Sequence, residues 1–268
     1  MILGISSYTY PWATGIPGYM PDRPMTETDL LREATELQVR LIQLAYNLPL
    51  HEMHQDRLEQ LIREASANGI ILEAGARGMT EEHLHLYIKL AEKIGSPLLR
   101  FVIDDKDLFR PGTDEIVSII NNALHDLSSR KIVLALENYE RMKTEDFVQI
   151  IKKVDNEFVG ICLDTINSFG ALEGTETVID RLAPFTVNLH IKDARISRLS
   201  HKLGFLVEGT PAGEGMLPLP WILERINKRC RSAVLEQWVP PEQQIRDTIL
   251  KEAAWARKSV ENLRKYFI

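Results

Sequence analysis

The sequence predicts an α/β fold, a single (β/α)8 TIM barrel of eight parallel strands ringed by eight helices, with residues 1–268 forming one domain. Three observations predict it. Short apolar runs alternate with amphipathic stretches eight times over, which is the pattern of repeated βα units. A length of 268 residues suits one such barrel, and no Ser/Gly-rich linker or low-complexity tract divides the chain. Four of the runs stop on a metal-competent side chain, and a parallel barrel brings all its strand C-termini to one face.

The elements follow in order. The first strand is expected at Ile2–Ser6, and a loop rich in Pro, Gly and aromatic residues runs from Ser7 to Thr28. Helical patterns at 28–38, 55–68 and 80–94 lead into strands at Leu41–Leu44, Ile70–Glu73 and Leu98–Val102. Patterns at 114–129, 144–154 and 174–182 lead into Ile132–Glu137, Val159–Asp164 and Thr186–His190. A stretch at 218–230 precedes the last strand, Ala233–Glu236, and 242–265 is the closing helix. Gly69 and Gly95 follow helical patterns, where a left-handed C-cap is expected. Thr28, Thr80, Thr113 and Thr144 stand at expected N-caps. A second long loop, Asp193 to Pro218, carries Gly-Thr-Pro-Ala-Gly-Glu-Gly at 209–215, with Gly213-Glu214-Gly215 read as a tight turn. Both long loops leave C-terminal strand ends and are expected to cover the same face. A doubly wound open sheet is the alternative, but Ser7-Tyr8-Thr9-Tyr10 stands where its Gly-rich turn would be.

Composition narrows the function. The net charge of −6 disfavours a nucleic-acid surface. Cys162 and Cys230 are the only cysteines, too few for a disulfide framework, and a reducing, cytoplasmic setting is expected. The N-terminus lacks the charge and apolar core of a secretory signal, and no stretch reaches the ~20 apolar residues that span a bilayer.

Glu137, Asp164, His190 and Glu236 end the last four strands. Their spacings are 27, 26 and 46 residues, which is one repeat, one repeat, and one repeat plus the 193–218 loop. Three carboxylates and one imidazole suit a single divalent cation, Mn²⁺ foremost, with Mg²⁺, Co²⁺ or Zn²⁺ also compatible. A metal that chelates a carbonyl and its neighbouring hydroxyl acidifies the C–H between them, and adjacent carboxylates can move the proton. Taken singly, each residue is more often a salt-bridge partner or a hydrogen-bonded filler; four at matching strand positions point to a site.

Other residues are expected on the same face. Arg100 sits mid-strand and is expected to point into the barrel mouth, toward the carboxylates or a substrate oxygen that it would orient, with an interior ion pair as the plain alternative. Lys192 shares a strand face with His190. Tyr8, Trp12 and Trp238 are candidate walls against sugar C–H surfaces, and Asn47 is a candidate donor to a hydroxyl or a turn residue. Glu73 and Arg77 are expected to form a local salt bridge, while His51 and His54 are expected at the surface or the rim.

The string His190-Ile191-Lys192-Asp193, with Glu137-Asn138 before it and Gly213-Glu214-Gly215 after it, resembles the xylose-isomerase-like TIM-barrel family of sugar isomerases and epimerases over nearly the full chain. That family includes ketose 3-epimerases, hydroxypyruvate isomerases, inosose-processing enzymes and 3-dehydroshikimate dehydratases. The resemblance implies metal ligands at Glu137, Asp164, His190 and Glu236, with Glu137 and Glu236 also as catalytic acid and base on opposite faces of a keto sugar. It further implies substrate contacts at Lys192, Asn167 and Arg195, and dimers or tetramers that the 7–28 loop could reach across. The chain departs from the epimerases at three places. Asn167 stands where they carry a His, Glu140 and Lys143 lie near where they carry a further Glu, and Arg195 follows His190 by five residues instead of six.

The expected function is therefore metal-dependent isomerisation or epimerisation of a small keto sugar or related polyhydroxy carbonyl through an enediolate. The alternative is dehydration of an inosose- or dehydroshikimate-like substrate. A multi-metal phosphodiesterase on this fold is disfavoured by the charge and by only seven histidines. A non-catalytic barrel is disfavoured because three converging carboxylates repel one another without a cation.

Overall fold

The computed structural model describes residues 1–105 and 109–267; Lys106–Leu108 and Ile268, which fall within the expected domain span, lie outside the described residues. The strands are β1 (Ile2–Ser6), β2 (Leu41–Leu44), β3 (Ile71–Arg77), β4 (Leu98–Val102), β5 (Val133–Glu137), β6 (Val159–Asp164), β7 (Thr186–Ile191), β8 (Asp193–Arg198), β9 (Phe205–Thr210) and β10 (Ser232–Leu235). Eight of them close a parallel barrel, in the order β1-β2-β3-β4-β5-β6-β7-β10. The predicted barrel is thus the one observed. The strands are apolar on both faces because helices cover the outside and side chains fill the inside; β2, β4, β6, β7 and β10 are buried at every residue.

The helices are α1 (Pro11–Thr14), α2 (Glu27–Glu36), α3 (Gln55–Ala67), α4 (Glu81–Lys93), α5 (Thr113–Arg130), α6 (Thr144–Val154), α7 (Thr175–Leu182), α8 (Leu219–Arg225) and α9 (Ile245–Arg264). Each longer one lays an apolar stripe on the barrel. In α4 it is Leu84, Tyr87, Ile88 and Ala91; in α6 it is Phe147, Ile150, Ile151 and Val154. Gly69 and Gly95 adopt φ of +64° and +69° at helix ends, as read from the sequence.

Three of the four threonine caps fall elsewhere. Thr80 caps α4, but Thr26 rather than Thr28 caps α2 through a capping box with Asp29. Thr113 and Thr144 are first helical residues, not caps. The start of α6 is satisfied from a distance: Glu173 accepts from the Thr144 backbone N–H at 2.8 Å and from its hydroxyl at 2.9 Å. A cap supplied by another loop leaves no local sequence signal.

The 193–218 segment is not an irregular covering loop. It forms an antiparallel hairpin, β8 against β9, with Asp193 opposite Thr210. The Asp193 carboxylate anchors its base by accepting from the backbone N–H groups of Gly213, Gly215 and Leu217 at 2.9–3.0 Å. Gly215 is required there, since a Cβ would lie 2.1 Å from Asp193 Oδ1.

The loop after β1 is tied to α9 by Glu252, which accepts from the N–H groups of Trp12 and Ala13 at 2.9 and 3.0 Å. Burial pushes the Glu252 carboxyl up to about 8, the two backbone donors opposing it. The folded protein then holds a proton that the unfolded chain gives up near the ordinary 4.5. This contribution to stability therefore falls as pH rises from about 5 to about 8. Glu252→Gln is expected to flatten that decline in urea unfolding curves taken across the interval; an unchanged slope would assign the proton elsewhere.

Candidate metal centre and active-site cavity

Glu137 ends β5, Asp164 ends β6, His190 lies next to last in β7, and Glu236 follows β10. Parallel register sets Asp164 beside His190, and His190 beside Val234 two residues before Glu236. One potential ligand atom from each of the four residues lies within 4.8 Å of all the others, and all four residues are buried.

The imidazole is the most constrained member. His190 Nε2 lies 2.8 Å from Gln43 Oε1. The Gln43 amide is oriented in turn by donating to Glu73 Oε2 at 3.0 Å and to Asn188 Oδ1 at 3.2 Å. Its oxygen must therefore face His190, so Nε2 carries the proton it donates. Nδ1 points between Glu236 Oε1, at 3.3 Å, and Glu137 Oε2, at 3.5 Å, and is buried without a hydrogen-bond partner. Burial alone would lower the His190 pKa, but Glu236 and Glu137 reverse the sign and raise it. A cation must win this nitrogen from a proton, so metal affinity is expected to fall as pH drops.

Two permanent cations are interleaved with the acids. Arg100 Nε donates to Glu137 Oε2, while Arg100 Nη1 is buried with no partner among the described residues. Lys192 Nζ lies 2.7 Å from Asp164 Oδ2 and 2.9 Å from Glu236 Oε2. Burial works against the charge on both, but the carboxylates outweigh it and raise both pKa values. Burial pushes the Glu236 carboxyl up, but His190 and then Lys192 and Arg100 outweigh it and drive it well below the carboxylate range. Further donors complete the acids. Ser6 Oγ reaches Glu236 Oε1 at 3.0 Å, Asn167 Nδ2 reaches Glu137 Oε1 at 3.0 Å, and the Ile166 and Asn167 backbone N–H groups reach Asp164 Oδ1.

Above this layer is a cavity of about 160 Å³ lined by Tyr8, Tyr46, Arg77, Tyr139 and Trp238 as well as Arg100, Lys192 and Asn167. Arg100 lies over the Tyr46 ring at 5.4 Å and Lys192 over Trp238 at 5.6 Å. Tyr8 packs on Tyr46, and burial raises its pKa, which keeps the phenol protonated.

Three sequence-predicted contacts lie outside the cavity lining. Trp12 turns away, its indole N–H donating to Val239 O at 2.8 Å. Asn47 braces the loop after β1, accepting from Ser7 Oγ and donating to Thr14 Oγ1. Arg195 is exposed on the hairpin and donates to Glu214 O. The expected Glu73–Arg77 bridge is also absent. Four residues apart on one strand, the two share a face but differ by about 13 Å in height at ~3.3 Å per residue. Glu73 is held inside the barrel by Gln43, while Arg77 reaches Tyr46 OH at 3.3 Å at the cavity. His51 pairs with Tyr87 OH at 2.8 Å, and His54 caps α3. Sequence reasoning missed Gln43, Asn188, Tyr46 and Tyr139. The available signal was a polar residue inside an apolar strand, in Leu41-Ile42-Gln43-Leu44 and again in Thr186-Val187-Asn188-Leu189.

The profile described as xylose isomerase-like TIM barrel matches residues 31–266. The chain belongs to that family. A relative in Pectobacterium atrosepticum, 3-oxo-isoapionate decarboxylase, is 30% identical over 98% of this chain and 95% of its own. D-psicose 3-epimerase from Clostridium cellulolyticum H10, solved with D-tagatose, superposes with a TM-score of 0.72 at 14% identity, covering 100% of this chain and 99% of that one. A xylose isomerase-like protein from Mycobacterium smegmatis, solved with magnesium, gives 0.67 at 15% identity, covering 98% and 97%. Among the described residues, no helix is long and apolar enough to cross a membrane.

The residues fit a divalent cation, but not for the reason of charge repulsion alone. Arg100 and Lys192 already compensate most of the three carboxylates. The orphaned, buried Nδ1 of His190, with its proton fixed on the far nitrogen, is what a cation would satisfy. Gln43→Leu removes the group that fixes that tautomer. It is expected to weaken Mn²⁺ binding by about 10- to 100-fold in a calorimetric titration; undiminished affinity would show that Gln43 does not position the ligand.

Proposed function

We propose that this protein decarboxylates a small polyhydroxy 3-oxo acid. The observation that carries this reading is the pair of buried cations among the carboxylates. Three ionised acids against Arg100, Lys192 and a divalent cation leave one net positive charge, and at the rim Arg77 and Glu140 offset each other. Such a site favours an anionic substrate, whereas the same four ligands without Arg100 and Lys192 would favour a neutral ketose. The relative at 30% identity acts on an oxo acid by name.

A divalent cation held by Glu137, Asp164, His190 and Glu236 would supply positive charge to the enolate oxygen that develops as CO₂ leaves. The residues do the rest. Arg100 Nη1 is the free donor that receives a substrate carboxylate or carbonyl oxygen. Lys192 holds Asp164 and Glu236 ionised and in place. The C–C bond to the carboxylate breaks, its electron pair becomes the enolate, and one proton returns to that carbon. Tyr8 lines the cavity, and its raised pKa keeps the phenol a hydrogen-bond donor rather than a ready proton source, so the proton comes from solvent.

Isomerisation or epimerisation of a keto sugar is the second reading, favoured by Glu137 and Glu236 flanking His190 Nδ1 from two strands. It asks a carboxylate to take a C–H proton, and Glu236, held well below the usual range, is a weak base for that task. Dehydration remains the third outcome of the same enolate chemistry.

The test is ¹³C and deuterium NMR of the Mn²⁺-loaded protein in D₂O with 3-oxo sugar acids labelled at the carboxyl carbon, and with neutral ketoses and inososes. Labelled bicarbonate with one deuterium on the adjacent carbon is the expected result. Deuterium entering ketoses without bicarbonate would overturn it in favour of the isomerase reading, and loss of water in favour of the dehydratase. The two buried free thiols suit the reducing, cytoplasmic setting expected from the sequence.

A further inference from the structure

A cavity of about 600 Å³ opens at the opposite end of the barrel, larger than the one of about 160 Å³ over the ligands. It lies between the entrances of four strands: Leu98, Val133 and Ser232 are the first residues of β4, β5 and β10, and Val187 is the second of β7. Val133 and Glu137 bound the same strand, so the two cavities are separated by about 13 Å at ~3.3 Å per residue.

Its chemistry is layered. The rim carries Lys131, Lys228, Arg229 and Arg231 against one acid, Glu157. Arg229 donates to the Glu157 backbone carbonyl, and none of Lys131, Lys228 and Arg231 has an ion-pair partner among the described residues. The wall is apolar, built by Leu98, Val133, Phe158 and Val187. The floor is polar: the Ser232 hydroxyl, and Glu73, which is 2% exposed and whose pKa burial raises.

Four cations at one mouth are a local excess on a chain of net charge −6. A solvated basic face is the plain alternative, but it needs no apolar well behind it. Interiors of such barrels are normally filled by layers of side chains. Here the bottom layer is small, with Ser232, Val133 and Val187, and the wall atoms lack packing partners on one side. Cationic rim, apolar wall and hydrogen-bonding floor together define an amphipathic anion as the complementary occupant.

We propose that this mouth is a second ligand site, for a small organic anion whose apolar body fills the well and whose charged group meets Lys131, Lys228, Arg229 and Arg231. The proposal is independent of the reaction at the opposite face. Glu73, on the floor of this well, lies two hydrogen bonds from His190 through Gln43.

The probe is 1-anilinonaphthalene-8-sulfonate, an apolar ring system with one sulfonate, titrated calorimetrically into the native, Mn²⁺-loaded protein. One saturable site is expected, with affinity that falls as salt shortens the Debye length. Lys131→Glu combined with Arg231→Glu changes exposed residues only and is expected to weaken binding at least about tenfold. Val133→Phe, which fills the well and keeps the charges, is expected to weaken it comparably. Glu236→Gln, in the other cavity, is expected to leave it unchanged. Undiminished binding in the charge-reversed pair overturns the proposal, as does a loss confined to Glu236→Gln, which would place the probe at the ligand-side cavity.

Discussion

Lys192→Met is expected to bind a divalent cation more tightly than the native chain and to turn substrate over at least about 100-fold more slowly. The two effects have one cause. Lys192 Nζ bridges Asp164 and Glu236 at 2.7 and 2.9 Å, so the ammonium would compete with a metal for two of the four proposed ligands. Removing it leaves two buried carboxylates uncompensated, which costs about 3–5 kcal/mol in the metal-free protein. Divalent cation would restore much of that by binding only the folded state. Thermal melts with and without Mn²⁺ check this, the rise in Tm on adding metal being larger in the variant. Turnover falls because the site loses the charge that makes it net positive toward an anionic substrate. If the variant binds Mn²⁺ no more tightly and keeps its turnover, Lys192 is a bystander and the charge argument for an oxo acid fails with it.

The four-residue cluster and the barrel were legible in the sequence for the same reason. Glu137, Asp164 and His190 recur at one-repeat spacing, and parallel strands convert equal spacing into a common height. What lies between strands was not legible. Glu73 and Arg77 are neighbours in the chain and invited a local bridge, yet Glu73 is held by Gln43, 30 residues away. Trp12 follows β1 and Asn47 follows β2, at the expected strand ends, but their orientation is set by Val239, Ser7 and Thr14. The hairpin was hidden because β8 and β9 expose most of their residues and lack the apolar burial pattern of a core strand. The same limit applies to Arg100: its mid-strand position flagged it, but only the structure brings its guanidinium against Glu137 and leaves Nη1 without a partner among the described residues.

Glu236→Gln is expected to keep the fold and to cut turnover by about 1000-fold or more, and the way it fails separates the two readings of the reaction. The amide conserves volume, and Ser6 Oγ, 3.0 Å from Oε1, retains a partner in either amide orientation. Circular-dichroism melting should therefore shift by only a few degrees. The lost charge weakens metal binding, since one of three carboxylates is gone and Lys192 keeps Asp164 as its remaining partner. In a decarboxylase Glu236 serves through the metal and the charge balance, so saturating Mn²⁺ should recover a large part of the turnover. In an epimerase Glu236 moves the proton itself, and no concentration of metal restores a base that the amide cannot be. Turnover measured against Mn²⁺ concentration thus reads the role directly. Full activity at low metal would remove Glu236 from the site altogether. Partial recovery at high metal would assign Glu236 to holding the cation and the charge balance, and no recovery would assign it to moving the proton.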